Sequence, residues 1–226
     1  MPIRLPPGRA LIFLALGAAL GLSVLPLGPA RHSSYFFSET GHAVSGRFLD
    51  TWIGGHTYTE SIQLNGYPIS DPITQTSALD GRPYRVQWFQ RVRLEAHPSQ
   101  APPNDVLLGQ LGRESGVPTG AEAAFARLPA PPGLGADGQW FPETGHLVRG
   151  PFRAFWQQYG GRAQFGYPIS EEFTQHLSDR DFTVQYFERS RLERPTGPSA
   201  VQDVTLGLLG LALYQPPAGT PTPVGP

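Results

Sequence analysis

The tetrapeptide Glu-Thr-Gly-His stands at residues 39–42 and again at 143–146. A carboxylate close to an imidazole can pass protons or hold a metal ion. Glu39 with His42, and Glu143 with His146, are therefore the first residues to weigh. Glu-x-x-His ligates metal when both side chains share one helical face. The intervening Thr-Gly favours a turn instead. Its occurrence twice points to a shared structural part, with His packed beside Trp and Glu accepting backbone hydrogen bonds. A second pair, Glu171 and Glu172, is a poor fit to glycosidase chemistry, which needs two carboxyls facing each other across a cleft. At the matching place in the first half only Asp71 is acidic. Acids following Ser170 suit a helix N-terminus better. The scattered His42, His56, His97, His146 and His176 match no standard zinc spacing. No serine sits in a nucleophile elbow and no glycine loop has the phosphate-binding pattern. No residue is assigned a catalytic or metal-binding role, and no cofactor is expected.

The aromatic side chains offer different chemistry. Exposed rings stack on sugars, with hydrogen bonds from neighbouring Glu, His and Arg setting orientation. Trp52 and Trp156 fall on apolar helix faces and belong to the core. Trp140 opens the second half and is the better candidate for exposure. The candidate ligand contacts are thus Glu39, His42, Glu143, His146 and Trp140.

These residues sit inside a duplication. Gly-Tyr-Pro-Ile-Ser occurs at 66–70 and at 166–170. Residues 37–52 share 9 of 16 positions with 141–156, and residues 84–95 share 7 of 12 with 182–193. Residues 106–112 share 5 of 7 with 204–210. The blocks keep their order, and small insertions near 57–63 and 80–82 fall where loops would tolerate them. The repeat divides the chain into unit one (31–112), a Pro/Gly/Ala-rich linker (113–138), unit two (139–214) and a Pro/Gly/Thr-rich tail (215–226). Within the linker, residues 121–128 have the composition for two helical turns.

Unit two is the cleaner copy. Phe152, Phe155, Trp156 and Tyr159 recur at i, i+3, i+4 and i+7, the face of a short helix begun by Pro151 and ended by Gly160-Gly161. Phe182, Val184 and Tyr186 alternate as a half-buried strand, with a turn at 188–190 and Leu192 returning on the second strand of a hairpin. Asp105 and Asp203 are placed to cap a last helical turn. The expected fold class is α+β: two tandem pseudo-symmetric units, each a short helix, a Gly-Pro loop and a β-hairpin, preceded by an N-terminal hydrophobic helix.

That helix would come from residues 1–30. Arg4 and Arg9 precede an apolar run from Ala10 to Leu27, with Ala30 a plausible cleavage point, as in a secretory signal. The run is also long enough to remain as a membrane anchor. Export places the protein outside the cytoplasm, secreted or in the cell envelope. The formal net charge of −1 shows no basic excess, so nucleic acid is not an expected partner, and membrane contact is expected only through an uncleaved N-terminal segment. With no cysteine, stability must come from packing alone.

The run Glu-Thr-Gly-His-x-Val-x-Gly-x-Phe, the Gly-Gly helix stop, the Phe165-Gly166-Tyr167-Pro168 loop with Glu171 and Glu172 behind it, and the strand at 184–189 resemble LGFP repeats of bacterial cell-envelope proteins. Both units depart from the family's loop: Asn65 or Phe165 replaces Leu, and Tyr67 or Tyr167 replaces Phe. The resemblance implies a cell-wall setting and a role in binding wall polysaccharide. The expectation is therefore an exported non-catalytic module binding envelope or extracellular polysaccharide. The alternatives are a structural or protein-interaction module without a sugar ligand and, third, a cell-wall hydrolase.

Overall fold

The computed structural model describes residues 34–77, 80–197 and 203–216. The expectations for the N-terminal hydrophobic segment (1–30) and for the tail beyond residue 216 lie outside these residues. The described residues form one compact unit. It is a mixed α+β fold with antiparallel sheets throughout.

The first half opens with a hairpin of β1 (Ser34–Phe37) and β2 (His42–Ser45). Two helices follow, α1 (Gly46–Ile53) and α2 (Tyr58–Asn65). A four-stranded meander comes next: β3 (Ile73–Thr76), β4 (Pro83–Trp88), β5 (Arg93–Ala96) and β6 (Val106–Leu108). One helical turn, α3 (Leu111–Glu114), ends it. A further turn, α4 (Glu122–Phe125), lies in the intervening segment. The same order then recurs: hairpin β7 (Gly138–Phe141) and β8 (His146–Arg149), helices α5 (Gly150–Gln158) and α6 (Gly161–Phe165), then strands β9 (Phe173–Leu177), β10 (Arg180–Tyr186), β11 (Arg191–Pro195) and β12 (Thr205–Leu206), and a last turn α7 (Leu209–Leu213). Among the described residues, no helix is long and apolar enough to cross a membrane.

Each half therefore holds more than a helix, a loop and a hairpin. The helix face of Phe152 and the strand of Val184 and Tyr186 form where their periodicity places them. The second helix and the opening hairpin are additional. The early insertion falls in a helix, not a loop: α2 has 8 residues against 5 in α6. Thr57 and Glu60 start α2 as a capping box, in which each side chain accepts the other residue's backbone N–H. Asp105 and Asp203 do not cap helices. They precede β6 and β12, because Val106 and Leu206 bury on the sheet edge. Ser170 leads into strand β9 and not into a helix. The segment 121–128 makes only the single turn α4.

The Gly-Pro loop is fixed in the same way in both halves. The Trp52 indole donates to the Gly66 carbonyl at 3.0 Å, and Trp156 donates to Gly166 at 3.1 Å. Gly66 and Gly166 have φ of 77° and 79°, which strains any side-chain-bearing residue. A Cβ on either would also press within 2.7 Å or less of the side chain at residue 90 or 188. Ser70 and Ser170 accept the backbone N–H of Trp88 and Tyr186 at 3.0 and 2.9 Å. These bonds seat the loop against the turn end of the central hairpin.

The two halves exchange their ends. Gly112 of α3 lies against the turn after β10, where a Cβ would stand 1.8 Å from the Phe187 carbonyl oxygen. Gly210 of α7 lies against the turn after β4, where a Cβ would stand 1.9 Å from the Phe89 oxygen. Leu111 and Leu209 meet Ile69, Val86 and Trp88 in one apolar cluster. Beyond α7, Tyr214 packs on Trp88 at 5.5 Å between ring centroids. Beyond α3, Phe125 packs on Tyr186 at 5.3 Å. The segment expected as a linker is thus a strap on the second half, tied further by the Glu171 N–H to the Ala124 carbonyl at 2.7 Å. Leu64 of α2 also enters the second half's core.

Candidate functional site

The two Glu-Thr-Gly-His segments are the turns of the opening hairpins, as their Thr-Gly pair requires. Their Glu and His side chains part company. His42 pairs with Asp71, its Nδ1 3.2 Å from Oδ1, and His146 pairs with Glu171 at 3.3 Å. The Leu147 N–H also donates to Glu171, at 3.0 Å. Each histidine thereby ties the opening hairpin to the acid that follows the Gly-Pro loop. Beside it, Gln87 donates to the Ala43 and Ser70 carbonyls, and Gln185 donates to those of Leu147 and Ser170. Glu39 is exposed in its turn and accepts only a long bond from Ser38, at 3.4 Å.

Glu143 and His146 line one cavity of about 440 Å³ beneath the strap, with Arg113, Phe125 and Arg127. Several of its polar groups are engaged, while the buried Thr144 hydroxyl has no hydrogen-bond partner among the described residues. Arg127 donates to the Pro142 and Glu143 carbonyls, Arg113 pairs with Glu188 at 2.7 Å, and His146 is 3% exposed against Glu171. Trp140 stands half-buried on β7, opposite Leu147 of β8. The structure thus gathers Glu143 with His146, and leaves Glu39, His42 and Trp140 apart from that cavity. Among the described residues, no three His, Asp or Glu side chains converge as a metal cluster. Burial pushes the Glu172 carboxyl above the ordinary glutamate value, against the pull of Arg149 and Arg194.

A larger groove, of about 780 Å³, runs along the junction of the halves. Its wall from the first half comes from the end of α1, with His56 just beyond it, and from β6 with Asn104 ahead of it. The second half supplies Tyr159 at the end of α5, Arg162 on α6, Tyr167 of the Gly-Pro loop, and Arg189 in the turn after β10. His56 and Tyr159 approach across the junction, ring centroids 6.4 Å apart. The Arg162 guanidinium sits 5.5 Å from the Tyr167 ring centroid and donates to its hydroxyl at 3.1 Å. The groove offers ring faces, amide and imidazole groups, and cations in one open cleft. A volume of this size is within the range of small-ligand sites.

Tyr167 and Arg189 have like counterparts in Tyr67 and Arg91, but Tyr159 and Arg162 have none in the other half. Arg162 aligns with Ile62, and Tyr159 with Gly55 in the Gly-Gly stop region of the first half. Reading the sequence through its shared positions therefore passes over Tyr159 and Arg162. The available signal was the opposite one: polar residues specific to one copy, beside elements that the duplication makes neighbours. No family model, no curated protein and no solved structure matches this chain.

Proposed function

We propose that this chain is an exported, non-catalytic module that binds cell-envelope or extracellular polysaccharide. In this reading it comprises two tandem pseudo-symmetric, LGFP-like units behind an N-terminal hydrophobic helix. The observation that carries the binding role is the groove between the halves, with Tyr159, Tyr167 and His56 facing the same cleft as Asn104, Arg162 and Arg189. Sugar rings present apolar C–H faces to such aromatics and hydroxyls to such polar groups. Its open shape suits an internal stretch of polymer. The two carboxylates that line it, Asp50 and Glu188, are each held by an arginine, Arg47 or Arg113. Both carboxylates are thus already engaged by the protein's own arginines, which favours binding over hydrolysis.

The test is retention of the full-length chain on purified wall and exopolysaccharide fractions, beside Tyr159→Ala and Trp140→Ala. Tyr159→Ala is expected to lose retention roughly fivefold, the equivalent of about 1 kcal/mol for one stacked ring. Trp140→Ala, outside the groove lining, is expected to retain binding. Thermal melts of both variants serve as the folding control. No retention by the unaltered chain on any glycan ends this reading.

A protein-interaction role has separate support at the opening hairpin. Tyr35, Phe36 and Tyr58 are 46%, 63% and 44% exposed. Tyr35 and Tyr58 border an apolar hollow of about 230 Å³ floored by Leu49 and Trp52. Co-purification of an envelope protein lost in Phe36→Ser, together with no glycan retention, would select this second reading.

A further inference from the structure

We propose that the groove takes an acidic glycan, one carrying carboxylate or phosphate groups, with Arg162 and Arg189 as the anion contacts. The inference rests on the glycan-binding reading of the same groove. Three guanidiniums and two carboxylates line it: Arg47, Arg162 and Arg189 against Asp50 and Glu188. Arg47 is spent internally, donating to both oxygens of Asp105 at 2.7 and 2.8 Å and to Asp50 at 3.0 Å. Glu188 is spent too, accepting from Arg113 at 2.7 Å and from the Tyr167 N–H at 3.0 Å. That leaves Arg162 and Arg189. Among the described residues neither makes an ion pair.

The fold holds these two cations together. Arg189 donates from Nη1 to the backbone carbonyls of Arg162 and Ala163, at 2.6 and 3.2 Å, which fixes it beside α6. Burial depresses the Arg189 pKa; Glu188 opposes this and the nearby Arg162 charge adds to it. Arg162 is exposed, with its fork held over the Tyr167 ring. A neutral sugar would gain hydrogen bonds here but leave the like-charge repulsion in place. A carboxylate or phosphate relieves it and matches the planar guanidinium donors. Tyr159 and His56 lie along the same groove, where the sugar ring bearing the anion would rest.

The experiment titrates the full-length chain, in a mild non-ionic detergent, with three size-matched polymers. These are an oligogalacturonate, an oligo(glycerol phosphate) and a neutral gluco-oligosaccharide. Each is run at about 50 mM and about 500 mM NaCl, where screening of exposed charge differs strongly. At least one anionic polymer is expected to bind roughly fivefold or more tightly than the neutral one, with the gap closing at high salt. The one that binds identifies the source of the anion. Arg162→Gln, at an exposed site, is expected to remove most of that gap, lowering acidic affinity several-fold more than neutral affinity. Equal affinity for neutral and acidic polymers overturns the acidic assignment while the glycan reading stands. Unchanged acidic binding in Arg162→Gln overturns the role of the arginines. No binding to any of the three, and none on wall fractions, removes the glycan reading and this inference with it.

Discussion

Glu172 shows how little separates the two halves at the level of one side chain. Pro72 holds the corresponding place in the first half, so only the second half carries a charge there. Burial raises the Glu172 carboxyl above its unfolded value, so the folded chain holds the proton more tightly than the unfolded chain does. Stability attributable to this group is therefore fully present below the unfolded glutamate pKa and falls as pH rises through the folded one. Glu172→Gln is expected to remove that fall. Urea unfolding at acidic and neutral pH should show the variant gaining on the parent only at the higher pH. At this scale the sequence was partly legible. The turn character of Glu-Thr-Gly-His followed from its Thr-Gly. The partners of the histidines did not, because His146 and Glu171 lie 25 residues apart and meet only once the Gly-Pro loop has folded back.

The elements differ where a second carboxylate meets the paired arginine in one copy alone. Arg93, on β5, lies 5% exposed over the Trp88 ring and bonds both Glu95 and Glu114 of α3. Arg191, on β11, meets Glu193 and the Tyr186 hydroxyl, but Ala212 stands where a second acid would be. Arg93→Met should strand two carboxylates with little water and cost about 3 kcal/mol. Arg191→Met strands one and should cost less, as denaturant midpoints would measure. The regular elements were legible where a long apolar period or strict alternation existed, as in α5 and β10. Helix α6 was not. It is 5 residues long, begins on Gly161, and owes its place to the side chains packed around Phe165. The strands β6 and β12 were misread as helical because Val-x-Leu-Gly-x-Leu-Gly suits either state until the sheet edge claims it.

For the whole molecule, the crossing ends matter most. Gly112 and Gly210 each touch the backbone of the other half, so Gly112→Ala and Gly210→Ala must push two segments apart. Each is expected to cost about 3 kcal/mol or more, the upper end of overpacking losses. Because the same contact is made in both directions, the two losses should be similar, and unfolding should stay a single transition in either variant by both fluorescence and circular dichroism. The duplication itself was plain in the sequence. That its ends change places was not, since the Leu-Gly-x-Leu-Gly stretches carry no mark of which hairpin they will cover. The groove was hidden for the same reason, being made by the junction and not by either copy.

The exchange also bears on where such a chain could come from. On the two-unit reading, a single unit alone would have a helical end with no hairpin beneath it and a hairpin with no helical end upon it. Two separate copies could satisfy one another by trading those ends, as in a domain-swapped homodimer. The segment from 113 to 138 then amounts to a covalent tether between former partners. It fixes one of each per molecule and frees the two sides of the junction to diverge into an asymmetric cleft.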